Sequence, residues 1–232
     1  MKFDNIIPKE FLEFNPRLYS FVFLILAALV ALILFPIKEY MGYIDPFYSP
    51  TVLIIPIIGL FRLTCYAFRQ DYNRHIFKHP ITCPAGDVLD KKSRQYSGES
   101  SLFMKLENYH RYFMYVALLV LPFFYYDLYV SLTYTGIFSL RLGSILMGFD
   151  VAMLTLYVFS CHSVRNLIGG RTDCYGCTLA GRANRKVYNA QSFLNNYHKS
   201  FAWISLISII AVDLYIRALA AGFRIDMVLW HM

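Results

Sequence analysis

Five apolar stretches alternate with polar segments along the chain, at approximately 18–36, 51–68, 109–126, 142–163 and 201–219. A helix needs about 20 mostly apolar residues to cross the hydrocarbon core of a bilayer. The fourth stretch is the least apolar, because Asp150 lies near its middle. The pattern predicts an all-α fold, in which residues 1–232 form one integral membrane domain with five transmembrane helices.

Two long polar loops, 69–107 and 165–196, separate the second span from the third and the fourth from the fifth. These loops and the N-terminal segment contain most of the Lys and Arg residues. The opposite side has only Lys38, Arg141, Arg217 and Arg224. Positive residues favour the cytoplasmic side, so we expect the N-terminus and both long loops to be cytoplasmic and the C-terminus to lie outside.

Composition agrees with a membrane location. The chain is 57% hydrophobic and 16% charged, whereas a soluble domain has about 25% charged residues. Its net charge of +7 is explained by topology, and no nucleic-acid partner is inferred. Residues 1–17 lack a small-residue cleavage site, so the first apolar stretch is interpreted as a retained span. On the cytoplasmic side, the five cysteines are expected to stay unpaired.

A short internal repeat brings candidate chemistry to the cytoplasmic helix ends. The second span ends in Thr64-Cys65 and the fourth in Ser160-Cys161, each followed by an arginine four residues after the cysteine. The third and fifth spans begin with Asn-Tyr-His-basic-x-Phe, at 108–113 and 196–201. Helices 2–3 and 4–5 are therefore predicted to form a pseudo-repeat about an axis along the membrane normal.

The repeat predicts a metal centre made of Cys65, His110, Cys161 and His198. Thiolates and imidazoles are ligands for zinc and for iron–sulfur clusters. Two Cys and two His on a [2Fe–2S] cluster form a Rieske-type centre, which has a raised reduction potential. Two alternatives stay open: a b-type haem held by His110 and His198, and a non-enzymatic membrane scaffold with a structural Cys₂His₂ zinc ion.

Other residues near the same membrane side are alternative ligands or candidates for a quinone site. Cys174 and Cys177 form a C-x-x-C, a common metal-binding spacing. The alternative ligands are Cys83, Cys174, Cys177 and His162. The candidate quinone-binding residues are Tyr66, Arg69, His162, Arg165 and Trp203. Asp213 precedes Arg217 by one helical turn, which predicts an ion pair between them.

Four phrases, in order along the chain, resemble one known family. They are RLTCYAFRQDYNRHIFKHPITCPAG at 62–86, NYHRYFMY at 108–115, SCHSVRNLIGG at 160–170 and YHKSFAWISLISIIAVDLYIRALAAG at 197–222. They are similar to the membrane-anchor (cytochrome b/C-type) subunits of actinobacterial succinate dehydrogenases and fumarate reductases, a group with a membrane-embedded Rieske-type cluster.

The resemblance implies that the chain has no catalytic residues of its own for succinate. It would anchor a flavoprotein subunit and an iron–sulfur subunit at the membrane, with the basic loops as the docking surface. Electrons would pass through the chain to a quinone, menaquinone or a similar one. Five spans in one chain resemble anchors that work as a single polypeptide, and the presence of a second anchor subunit and the oligomer of the whole complex stay open.

Overall fold

The structure is a computed structural model that describes residues 16–38, 50–65, 67–68, 109–133, 136–169 and 174–231. The described part is mostly helical. Its helices are α1 (Pro16–Leu34), α2 (Pro50–Thr64), α3 (His110–Thr133), α4 (Leu142–Phe159), α5 (His162–Gly169), α6 (Leu179–Asn196) and α7 (His198–Ala220). Two short strands, β1 (Ser139–Arg141) and β2 (Val228–His231), were not predicted from the sequence.

The core lies between α2, α3, α4 and α7. Helix α4 packs against α7 and α3, α3 also packs against α2, and α1 lies on the outside of α7. Fully buried side chains from each of the four helices meet there, including Phe61, Met114, Leu154 and Ala202. Cys65 and Cys161 belong to the same cluster, so the core continues into the region where the sequence predicts the metal centre.

Three of the described helices, α3, α4 and α7, are long and apolar enough to cross a membrane. Helix α1 is also apolar, but its described apolar part is shorter. Many large apolar side chains point away from the core, and Phe23, Ile33 and Leu119 are each about 70% exposed. An apolar exterior of this kind is stable when lipid covers it, which agrees with a membrane-integrated protein.

The second polar loop contains two helices that the search for apolar stretches did not find, α5 and α6. Both are amphipathic, and they pack against each other rather than cross the bundle. Asn184 donates to the Ile168 carbonyl oxygen at 2.8 Å, and the Tyr175 hydroxyl donates to the Gly169 carbonyl oxygen at 3.2 Å. The helix that contains the fourth apolar stretch ends at Phe159, and the chain turns at Ser160 and Cys161 before α5 begins.

A polar cluster closes the opposite end of the bundle, where β1 and β2 pair in antiparallel fashion. The Asp226 carboxylate accepts from the Tyr215 hydroxyl at 2.9 Å and from the Gly143 backbone N–H at 3.1 Å. Nearby, Arg217 donates to Asp213 at 2.8 Å. The predicted ion pair between Asp213 and Arg217 is therefore confirmed.

The start of α6 allows a test of the packing between this helix and the turn before it. A Cβ atom at Gly181 would lie 2.9 Å from the Tyr175 carbonyl oxygen and 3.0 Å from that of Cys174. Both are backbone atoms, so Gly181→Ala must displace the turn, at a cost of roughly 1–3 kcal/mol. We expect faster amide hydrogen exchange at the start of α6. Gly176→Ala is the control, because nothing lies within 4 Å of its new Cβ; equal exchange in the two variants would contradict the packing.

Candidate metal centre and adjoining pocket

Four helix ends meet at one place in the bundle. Cys65 follows the last residue of α2, and Cys161 lies in the turn after α4, whereas His110 and His198 are the first residues of α3 and α7. The two sulfur-bearing side chains are about 1% exposed and His198 is 6% exposed. Helices α3 and α7 therefore direct their N-termini, with the partial positive charge of the helix dipole, towards the two thiols.

The thiols and imidazoles form two crossed pairs. His198 Nε2 lies 3.1 Å from Cys65 Sγ, and His110 Nε2 lies 3.0 Å from Cys161 Sγ. Each pair joins a cysteine of one half of the chain to a histidine of the other half. The contacts consequently tie α2 to α7 and α3 to the end of α4.

The same supporting contacts occur around both histidines. The Thr64 hydroxyl lies 2.9 Å from His110 Nδ1, and the Ser160 hydroxyl lies 2.8 Å from His198 Nδ1. A hydrogen bond at one ring nitrogen fixes the orientation of the imidazole and leaves the other nitrogen free to act as a ligand. The residue just before each cysteine thus directs Nε2 of one histidine towards the thiol of the other half.

An aromatic ring also stacks on each imidazole. Phe61 lies 4.8 Å from the His110 ring at an interplanar angle of 6°, and Tyr157 lies 5.2 Å from the His198 ring at 21°. Both aromatic residues precede a cysteine by four positions, so they lie one helical turn before it. The sequence repeat was recognised from Ser/Thr-Cys and missed these aromatic positions, although their equal spacing was visible.

Helix α6 supports the turn that contains Cys161, which the sequence analysis did not foresee. Gln191 donates to the Cys161 carbonyl oxygen at 2.9 Å, and Asn195 donates to that of Ser160 at 2.7 Å. These bonds satisfy carbonyl groups that the end of α4 leaves without helical partners. The Ser163 backbone N–H lies 3.4 Å from Cys161 Sγ, so the sulfur has a second polar neighbour.

Within the described part of the chain, no three His, Cys, Asp or Glu side chains converge as a ready-made metal site. The four residues instead form two hydrogen-bonded thiol–imidazole pairs. The donor types, two thiols and two imidazoles, fit a zinc ion or an iron–sulfur cluster.

Three of the four alternative ligands are among the described residues. Cys174 and Cys177 form a disulfide, so the expectation that all cysteines stay unpaired was wrong for these two. Their sulfurs are not thiolates in this state and cannot act as thiolate ligands. His162 lies beside the site, with its ring 6.3 Å from that of His198. Cys83 lies outside the described residues.

A cavity of about 340 Å³ opens between α5 and α6, close to the site. Its lining residues are His162, Arg165, Asn166, Gly169, Tyr175 and Tyr188. The Arg165 guanidinium lies 5.0 Å from the centre of the Tyr188 ring, and Arg165 Nε has no hydrogen-bond partner among the described residues. The cavity thus offers a cation, an imidazole and two aromatic rings.

Trp203, another candidate quinone residue, does not line this cavity. The centre of its ring lies 5.4 Å from that of Phe68 and 6.5 Å from that of Phe21. Its buried Nε1 has no hydrogen-bond partner in the described part of the chain. Tyr66 and Arg69 lie outside the described residues. Of the five quinone candidates, the structure brings His162 and Arg165 together and places Trp203 at a separate position.

The chain is similar to known proteins over most of its length. A family described as actinobacterial succinate dehydrogenase subunit SdhC matches residues 38–222. The chain belongs to this family. It is therefore a membrane subunit of a succinate dehydrogenase, an oxidoreductase complex. A chain of the Mycobacterium smegmatis Sdh1 complex in the apo form is similar, with 30% identity and a TM-score of 0.66 over 83% of this chain and 70% of that one. No curated protein matches.

The disulfide gives a prediction that does not depend on the metal centre. Peptide mapping under denaturing, non-reducing conditions should find the peptide with Cys174 and Cys177 unmodified by an alkylating reagent. After reduction, both residues should be alkylated. In the same digest, once any metal has been chelated, Cys65 and Cys161 should react without reduction, because both are free thiols. Alkylation of Cys174 and Cys177 before reduction would contradict the pairing.

Proposed function

We propose that this subunit carries electrons from a docked iron–sulfur subunit to a membrane quinone, through a metal centre held by Cys65, His110, Cys161 and His198. The supporting observation is the pair of crossed thiol–imidazole contacts, each with its own hydroxyl and aromatic support. Buried thiols and imidazoles with fixed ring orientation are the donor set of a Rieske-type [2Fe–2S] cluster, which supplies one-electron transfer at a raised potential. The protein's residues orient the donors and exclude water.

The direction of the imidazoles favours a thiol-containing centre over haem b. Two axial histidines of a haem direct one nitrogen each towards a common iron atom. Here, each Nε2 faces a sulfur atom instead. A structural zinc ion uses the same donors, and metal analysis separates it from an iron–sulfur cluster.

We further propose five spans, with the N-terminus and both long polar segments on the cytoplasmic side. Helices α2 and α4 end at the site and α3 and α7 begin there, so these four run in alternating directions. The matching contacts in the two halves support the proposed pseudo-repeat of helices 2–3 and 4–5. Helix α1, which has 19 residues, contributes a further apolar segment at Tyr19–Leu34.

The cytoplasmic surface is the proposed docking face for the flavoprotein and iron–sulfur subunits. Arg182, Arg185 and Lys186 are exposed on α6, and the same helix bonds the backbone at Cys161. A partner that docks on this helix would lie close to the metal centre. A short distance between the docked subunit and the metal centre would suit electron transfer from that subunit.

We place the quinone head group in the cavity between α5 and α6. Reduction to quinol takes two electrons and two protons, and negative charge builds on the carbonyl oxygens before they are protonated. Arg165 offers a charged donor with an unpartnered Nε, and His162 offers a second polar group. The aromatic rings of Tyr175 and Tyr188 provide flat apolar walls for the ring. The Trp203 Nε1, which has no hydrogen-bond partner among the described residues, makes the surroundings of Trp203 the second candidate.

The metal centre is tested on the purified whole complex. We expect equimolar amounts of iron and acid-labile sulfide beyond those of the soluble subunits, with an electron paramagnetic resonance signal that Cys65→Ser and His110→Ala abolish. The double variant Cys174→Ser/Cys177→Ser should keep the signal, because its sulfurs lie outside the site. Haem absorption without the additional iron–sulfur signal would show that the centre is haem b and not a cluster. Zinc without additional iron would contradict electron transfer through this centre.

The quinone site is tested by steady-state kinetics with a soluble quinone. Arg165→Leu should raise the quinone KM about tenfold or more, because a charged hydrogen bond contributes about 1.5–3 kcal/mol. Leu167→Ala, an exposed change on the same helix, should leave KM unchanged. If Trp203→Phe raised KM and Arg165→Leu did not, the quinone would bind near Trp203 instead.

A further inference from the structure

Arg62 is a buried cation that neither the repeat nor the ligand set accounts for. It lies one turn before Cys65 on α2 and is 4% exposed. Its guanidinium donates to the Ala202 carbonyl oxygen at 2.8 Å and to the Ser205 hydroxyl at 3.1 Å. Arg62 Cζ lies 4.8 Å from the centre of the Tyr157 ring and 6.0 Å from that of Phe68. All of these partners are neutral.

A guanidinium in an apolar interior is costly unless negative charge lies nearby. Asp150 is the buried carboxylate on the adjacent helix α4, and it interacts electrostatically with Arg62. Its carboxylate accepts a hydrogen bond from Ser208. It lies two helical turns before Tyr157, which places it about 10 Å further along α4. Within the described residues no ion pair joins Arg62 to Asp150. Arg62 contacts Tyr157 and Ala202, so its positive charge lies nearer to the metal centre than the carboxylate of Asp150 does.

One aromatic ring, that of Tyr157, lies between the Arg62 guanidinium and the metal centre. Arg62 Cζ lies 4.8 Å from the Tyr157 ring centre, and that centre lies 5.2 Å from the His198 ring centre, so the cation is at most about 10 Å from the His198 imidazole. The intervening material is protein rather than water, so screening is weak.

We propose that Arg62 is a positioning residue that raises the reduction potential of the centre through its fixed positive charge. This inference rests on the proposed electron-transfer function. Any centre that accepts one electron gains one unit of negative charge, and a nearby cation favours that state. The electron comes from the docked iron–sulfur subunit and leaves to the quinone, so the charge on Arg62 itself does not change. The sign of the effect is the same for a cluster and for a haem.

The test is an anaerobic redox titration of the whole purified complex, followed by the spectroscopic signal of the membrane centre. For charges about 10 Å apart at an effective dielectric constant of about 20, Arg62→Gln should lower the reduced-to-oxidised ratio at a fixed potential by about fifteenfold. For a one-electron couple, this is a downward shift of about 70 mV. Arg62→Lys keeps the charge and should titrate close to the wild type.

The matched control is the other buried arginine, Arg217, which is also 4% exposed but is paired with Asp213 at the opposite end of α7. The double variant Arg217→Gln/Asp213→Asn removes two charges that already neutralise each other and should leave the potential unchanged. If Arg62→Gln does not accumulate, Arg62→Gln/Asp150→Asn avoids a lone buried carboxylate. Its potential should still fall, because Asp150 is farther from the centre.

The outcomes separate the two proposals. A wild-type complex without a reducible membrane centre would overturn the proposed function. A wild-type centre that titrates normally, together with an unchanged potential in Arg62→Gln and equal metal content, would overturn the role of Arg62 alone. A downward shift in both Arg62→Gln and Arg62→Lys would also overturn it, because lost packing rather than lost charge would then be responsible.

Discussion

The crossed thiol–imidazole contacts are the constraint on which the functional end of this bundle depends. Each contact joins two helices that are far apart in the sequence, so the end of α2 must lie beside the start of α7, and the start of α3 beside the end of α4. The hydroxyls of Thr64 and Ser160 and the rings of Phe61 and Tyr157 then restrict the imidazoles from the side and from one face. Buried polar groups are costly without partners, and here every one of the four donors has a partner.

Helix ends, rather than helix interiors, build the site. A residue at a helix end can turn its side chain into the bundle without breaking the helical hydrogen bonds of a membrane span. The turn after α4 exposes carbonyl groups, and α6 satisfies them through Gln191 and Asn195. The amphipathic helix α6 therefore supports the turn that contains Cys161, and α5 and α6 together form the adjoining cavity.

Charge is arranged asymmetrically around this site. The N-termini of α3 and α7 and the guanidinium of Arg62 are positive, whereas the buried carboxylate of Asp150 lies deeper along α4. At the opposite end of α7, Arg217 is neutralised directly by Asp213. A centre that gains an electron benefits from the first environment and would gain little from the second.

The sequence by itself determined the membrane class, the family and the four residues that meet at the helix ends, because long apolar stretches and a repeated local motif are read directly from residue order. It also determined the ion pair between Asp213 and Arg217, a contact within one turn of a helix. Only the tertiary structure decided that each cysteine faces the histidine of the other half, that Arg62 lies over Tyr157, and that α5 and α6 fold inside a polar segment. Only the structure, too, placed Trp203 away from Arg165 and joined Cys174 to Cys177. These features depend on how distant segments pack, and hydropathy and local spacing contain no information about which distant side chains become neighbours.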